Sequence, residues 1–136
     1  MTCILRVAGE DLDIDTLLQG SPLSPDRVWR KGEVRNGKGE LHDNSGATFL
    51  ASGADLEQFN QQVEDATLFL ELHSTAISSI AAFPGVEWVV LDFGIELRDT
   101  FLVHSDHLPS RFLKAVASTG IGVELSHYLC NDDEES

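Results

Sequence analysis

The 136-residue sequence predicts an α+β fold: a two-layer sandwich with one mixed, largely antiparallel sheet and helices chiefly on one face. Three observations carry that prediction. From Trp88 to Leu97, Val89, Leu91, Phe93, Ile95 and Leu97 alternate with Asp92, Gly94 and Glu96, the two-residue period of a half-buried strand. Leu56, Phe59, Val63, Ala66 and Leu70 recur at spacings of three and four, the stripe of a helix lying on a core. Asn36-Gly37 supplies the two positive-φ positions of a type I′ hairpin turn, and a hairpin there interrupts the regular βαβ alternation of a doubly wound sheet.

The remaining elements follow in order. Residues 3–7 read as a first strand with Cys3, Leu5 and Val7 on one face, ending at Gly9. Asp11 or Asp13 can cap a short helix through Leu17 and Leu18, closed by Gly20, and Pro22 and Pro25 forbid its continuation. Val28 to Val34 and Lys38 to His42 form the two arms of the hairpin, and Ala47 to Ala51 add a third strand. Ser52 and Asp55 resemble a capping box opening the long helix, whose register continues to His73, Ile77 and Ile80 unless Ser74 and Thr75 break it. After the Trp88 strand, Phe101 to Val103 are compatible with a short strand, and Ser105 or Asp106 can cap a helix with Pro109 in its first turn and Gly120 as terminator. Ile121, Val123, Leu125, His127 and Leu129 then make the apolar face of a final strand. Residues 1–130 are thus read as one α+β domain and 131–136 as an acidic disordered tail.

Composition narrows the function classes. The hydrophobic content of 42% is that of a globular chain, and no window approaches the ~20 apolar residues that cross a bilayer. The N-terminus carries acid where a signal peptide needs an apolar run, so a cytoplasmic protein is expected. Cys3 and Cys130 stand at opposite ends without metal-type spacing, and are read as buried free thiols. The net charge is −14, and it is segregated: all nine basic residues lie outside 39–97, while ten acids lie within that span. Such a surface disfavours direct nucleic-acid binding, which needs cations to displace phosphate counterions.

The organisation resembles the bacterial domain of unknown function 4279 family over nearly the whole chain. The resemblance rests on Leu5-Arg6-Val7-Ala8-Gly9-Glu10-Asp11-Leu12-Asp13, on Trp29-Arg30-Lys31-Gly32-Glu33 after a proline-bearing loop, and on Leu113 through Tyr128, where a helix leads into a closing strand. It implies a small intracellular α+β domain and carries over no catalytic residues. The chain departs from the pattern after the hairpin, where Ala47-Thr48-Phe49 stands in place of a tryptophan at the start of the strand.

Few residue constellations rise above this background. Asp11, Asp13 and Asp15 alternate as in a calcium loop, but Thr16 and Pro22 replace the glycine and distal glutamate such a loop needs. His104, Asp106 and His107 are the tightest group of metal-ligand types, incomplete unless the last strand brings His127 beside them. His73 and His127 are read chiefly as core-edge histidines. Nucleophile-elbow, P-loop, dinucleotide-binding and HExxH patterns are absent, so no cofactor is expected. Trp29, Arg30 and Lys31 combine an aromatic with positive charge, suited either to an anionic ligand or acidic partner peptide, or to self-neutralisation by the chain's own acids with Trp29 packed in the core. Glu57, Glu64 and Glu71, seven apart with Asp65 beside them, would form an acidic ridge along the long helix, with Leu68 as its apolar contact. The sequence therefore points to a non-catalytic protein-binding module, of inhibitor or immunity type, docking a basic partner; the alternatives are a small metal-assisted hydrolase using His104, Asp106, His107 and His127, and small-ligand sensing in a cleft near Trp29.

Overall fold

Alternation of apolar residues places Cys3, Leu5 and Val7 of the first strand, β1 (Cys3–Gly9), on a fully buried face, and the rest of the sheet assembles on both sides of it. The computed structural model describes residues 2–98 and 102–130. Its elements continue with α1 (Ile14–Gln19), β2 (Arg27–Trp29), β3 (Ser45–Ser52), α2 (Phe59–Leu72), α3 (Ser74–Ala81), β4 (Trp88–Arg98), α4 (Ser110–Thr119) and β5 (Gly122–Cys130). One five-stranded sheet in the order β2-β3-β1-β4-β5 results. Pairing is antiparallel except between β4 and β5, which run parallel through the crossover helix α4. This is the mixed α+β sandwich the sequence predicts.

The core lies between the sheet and the helices. Phe93 at its centre meets Phe59 of α2 and Phe112 of α4 edge-on, with ring centroids 5.5 Å and 5.6 Å away. The α2 stripe buries Phe59, Val63, Ala66 and Leu70, and α3 adds Ile77 and Ile80. Buried Gln62 ties α2 to the sheet, because its Nε2 donates to the carbonyls of Gly94 at 2.8 Å and Asp55 at 3.0 Å. His73 is the joint at which the long helix breaks into α2 and α3, ending one and opening the other.

Several boundaries differ from expectation, each for a local reason. Ser52 does not cap α2; it ends β3, and its hydroxyl donates to Asp65 Oδ2 at 2.7 Å. The helix begins only at Phe59, because Leu56 is still engaged with β4 through the Glu96 N–H at 3.1 Å, so Leu56 and Glu57 precede the helix. The strand expected over Val28 to Val34 stops at Trp29, and the hairpin beyond holds one bridge, Val34 to Leu41. Its turn is not type I′. Asn36 Oδ1 accepts from the Lys38 N–H, and the positive φ falls on Gly39 at 80°, so the second glycine of Asn-Gly-Lys-Gly relieves the strain.

Helix α4 starts after Pro109, not at Ser105 or Asp106, and ends on left-handed Gly120 as expected. Leu102 and Val103 are exposed and form no strand; Phe101 and the acidic tail lie outside the described residues. Strand β5 forms, but its expected apolar face is not covered: Val123 and Leu125 are 37% exposed and Leu129 is 60% exposed at the sheet's edge. Cys3 is buried, and burial pushes its thiol far above the ordinary range, whereas Cys130 is only half-buried. No helix among the described residues is long and apolar enough to cross a membrane.

Candidate functional site

Helix α2 buries one stripe, so its opposite side faces solvent, and there Asn60, Glu64, Leu68 and Leu72 follow one another at intervals of four. Leu68 is 52% exposed and Leu72 is 78% exposed. A groove of about 460 Å³ runs beside Asn60 and Glu64, between α2 and the segment entering α4, with Thr67, His107 and Arg111 also in its walls. The acidic ridge expected here is shorter and less charged than its spacing suggested. Glu57 precedes the helix and falls off the ridge. Asp65 accepts hydrogen bonds from Ser52 and from Gln61, the latter at 2.8 Å. Glu71 is gripped by Arg111 of α4 through two hydrogen bonds of 3.0 Å and 2.6 Å, so the ridge does have a local counter-charge. That two-pronged bond holds the Glu71 carboxyl below the usual range and raises Arg111.

The basic segment is partly claimed by its own chain. Arg30 donates to both carboxylate oxygens of Asp15, at 3.0 Å and 2.7 Å, which lowers the Asp15 pKa. Lys31 Nζ lies 3.4 Å from Glu10. Trp29, by contrast, does not enter the core. Its register opposite Gly46 puts it on the face of the sheet without helices, where the absent side chain of Gly46 makes room for the ring. Trp29 Nε1 donates to Asn44 Oδ1 at 2.8 Å, and His42 stacks alongside at 6.2 Å.

The histidines divide into two places. His104 lies 3.1 Å from Asp106 and its ring is 6.4 Å from that of His127, so β5 does approach the loop. His107 turns away into the α2 groove. The set His104, Asp106 and His107 is therefore not one site, and no group of three His, Cys, Asp or Glu among the described residues is arranged to hold a metal ion. His73 packs edge-on against Phe69 at 5.1 Å, as a core-edge residue does.

A further polar group was not singled out from the sequence. Arg6 of β1 donates to Asp92 of β4 at 3.1 Å, and Ser126 of β5 donates to the other oxygen of Asp92 at 2.7 Å. All three face the side of the sheet without helices. Their positions alternate correctly in sequence, but only the strand order brings them together. No family model, curated protein or solved structure matches the chain.

Proposed function

We propose that the chain is a non-catalytic protein-binding module of inhibitor or immunity type, which docks a basic partner on the outer face of α2. One observation supports this reading above others: Leu68 and Leu72 stand one turn apart in solvent, beside Glu64, on a chain of net charge −14. An apolar centre with a charged margin is the usual anatomy of a protein interface. Isolated exposed leucines are common, but two of them one turn apart on the same solvent face of α2 favour a contact surface there.

The charges have separate roles in this reading. Net negative charge accelerates encounter with a basic surface and contributes less to final affinity. The leucines and the groove supply the desolvated contact. The Glu71–Arg111 pair links α2 to α4 and holds Arg111 at the groove's wall, so it positions the surface more than it attracts the partner.

The test uses the purified chain as bait in lysate from its native source across a salt series, beside a Glu64→Lys/Leu68→Asp double variant. Both substitutions lie on exposed positions, so an unchanged circular dichroism spectrum is the expected control. The expected result is capture of a basic protein that weakens with salt and falls at least about tenfold with the variant, the usual loss at a central contact. Equal capture by both baits, or no retention at low salt, overturns the proposal.

A further inference from the structure

We propose that the cleft on the helix-free face of the sheet, beside Trp29, binds a small zwitterion: an α-amino acid with a flat apolar side chain. The site is separate from the α2 surface and independent of it. Its volume of about 390 Å³ lies within the range of small-ligand sites.

The argument starts from Thr48. Only 4% of this residue is exposed, yet its hydroxyl makes no hydrogen bond, although it lines the cleft. Buried hydroxyls are nearly always partnered, because removing them from water without a new bond is costly. An arriving ligand can supply the missing bond. Thr48 is also the middle of a row across three strands, with Arg6 of β1 on one side and Arg27 of β2 on the other. Asp92 holds Arg6 in place and already balances its charge, with Glu124 4.0 Å away. Arg27 is uncommitted and is the cross-strand neighbour of Thr48, so the pair can receive one carboxylate.

The ligand's class follows from the remaining walls. Arg35 enters from the hairpin, and Asp26 and Asp43 line the same cleft. Among the described residues, none of Arg27, Arg35, Asp26 and Asp43 forms an ion pair. Two free cations and two free carboxylates in one cleft repel a polyanion and favour a ligand carrying one charge of each sign. Asp26 adjoins Thr48 along the backbone, since its N–H donates to the Thr48 carbonyl at 2.7 Å, and it lines the same cleft, which makes its carboxylate the candidate ammonium partner. Ile4 and the offset rings of Trp29 and His42 supply a flat apolar wall for the side chain.

The probes are L-phenylalanine, phenylacetate and phenethylamine, which share a ring and differ in charge. They are titrated into a Trp88→Phe variant of the full chain, whose one remaining indole N–H resonance belongs to Trp29 and reports binding by NMR. Saturable shifts with phenylalanine, and at least about tenfold weaker binding of the other two, are expected. Thr48→Val should weaken phenylalanine about tenfold without lowering the thermal midpoint, and Thr48→Ser should restore binding. No saturable binding of phenylalanine overturns the proposal, as does equal binding of phenylacetate. A Thr48→Val variant that melts earlier but binds normally also overturns it, by assigning the hydroxyl to the fold.

Discussion

Burial at single positions was legible wherever a period was clear. Leu5, Val7, Leu91 and Phe93 alternate in sequence and are fully buried, and Phe59, Val63 and Leu70 keep the helical spacing and face the core. Partners of charged residues were not legible, because Arg111 and Glu71 are forty positions apart and meet only when α4 packs on α2. That pair carries a pH prediction. Arg111 holds the Glu71 carboxyl below its ordinary range, so the folded state favours the ionised form. Its stabilising contribution is present above the unfolded pKa and is lost as pH falls through and below the usual carboxylate range. Glu71→Gln should therefore lower the thermal midpoint slightly at neutral pH, and the difference from the parent should close in acid. Both side chains are largely exposed and water screens the pair, so the effect is small. Parallel melting curves from neutral pH to about pH 3 decide it: a difference that persists or widens in acid would show that Glu71 acts through packing instead.

Element types survive better than element ends, because a periodic stripe is averaged over many residues while an end depends on one or two local bonds. The α2 stripe was readable from Phe59, Val63, Ala66 and Leu70; its start was not, since Leu56, which continues the same spacing, precedes the helix with its carbonyl paired to β4. The hairpin shows the same division. Asn36-Gly37 correctly marked a reversal, but the Asn36 side chain bonds the Lys38 N–H and the left-handed residue moves to Gly39. The two glycines of this turn are consequently not equivalent. Gly39→Ala forces a side chain into the left-handed region and should cost about 1–2 kcal/mol. Gly37→Ala, whose backbone lies outside that region and whose added carbon meets open space, should be close to neutral. Denaturant midpoints of the two variants test the turn, and the reverse ranking would restore the type I′ geometry.

At the scale of the whole molecule, layer type followed from the order of elements, but strand order did not. The last strand has an apolar alternation indistinguishable from that of β4, yet it lies at the sheet's edge, where Leu125 and Leu129 remain exposed. Local pattern states that a face is apolar; only topology states whether anything covers it. The candidate site divides similarly, since the α2 leucines were within reach of helical spacing while the Thr48 cleft required three strands to be set side by side. Charge, however, is a property of the whole chain and is legible at once. A net −14 on 136 residues produces self-repulsion that opposes folding, while ion pairs such as Asp15–Arg30 and Glu71–Arg111 act in the other direction. Salt weakens both. Among the described residues the exposed pairs each contribute little, and pairs such as Arg6–Asp92 and Glu96–Arg98 are better shielded, whereas the repulsion sums over the whole net charge. Raising sodium chloride from low concentration to about 0.5 M, where screening acts within a few Å, should therefore raise the thermal midpoint. Sodium chloride is the appropriate salt because sulfate would add exclusion effects unrelated to charge. A midpoint that falls with added salt would mean that the ion pairs outweigh the repulsion, and the excess acid would then be a structural network instead of a surface available to a partner.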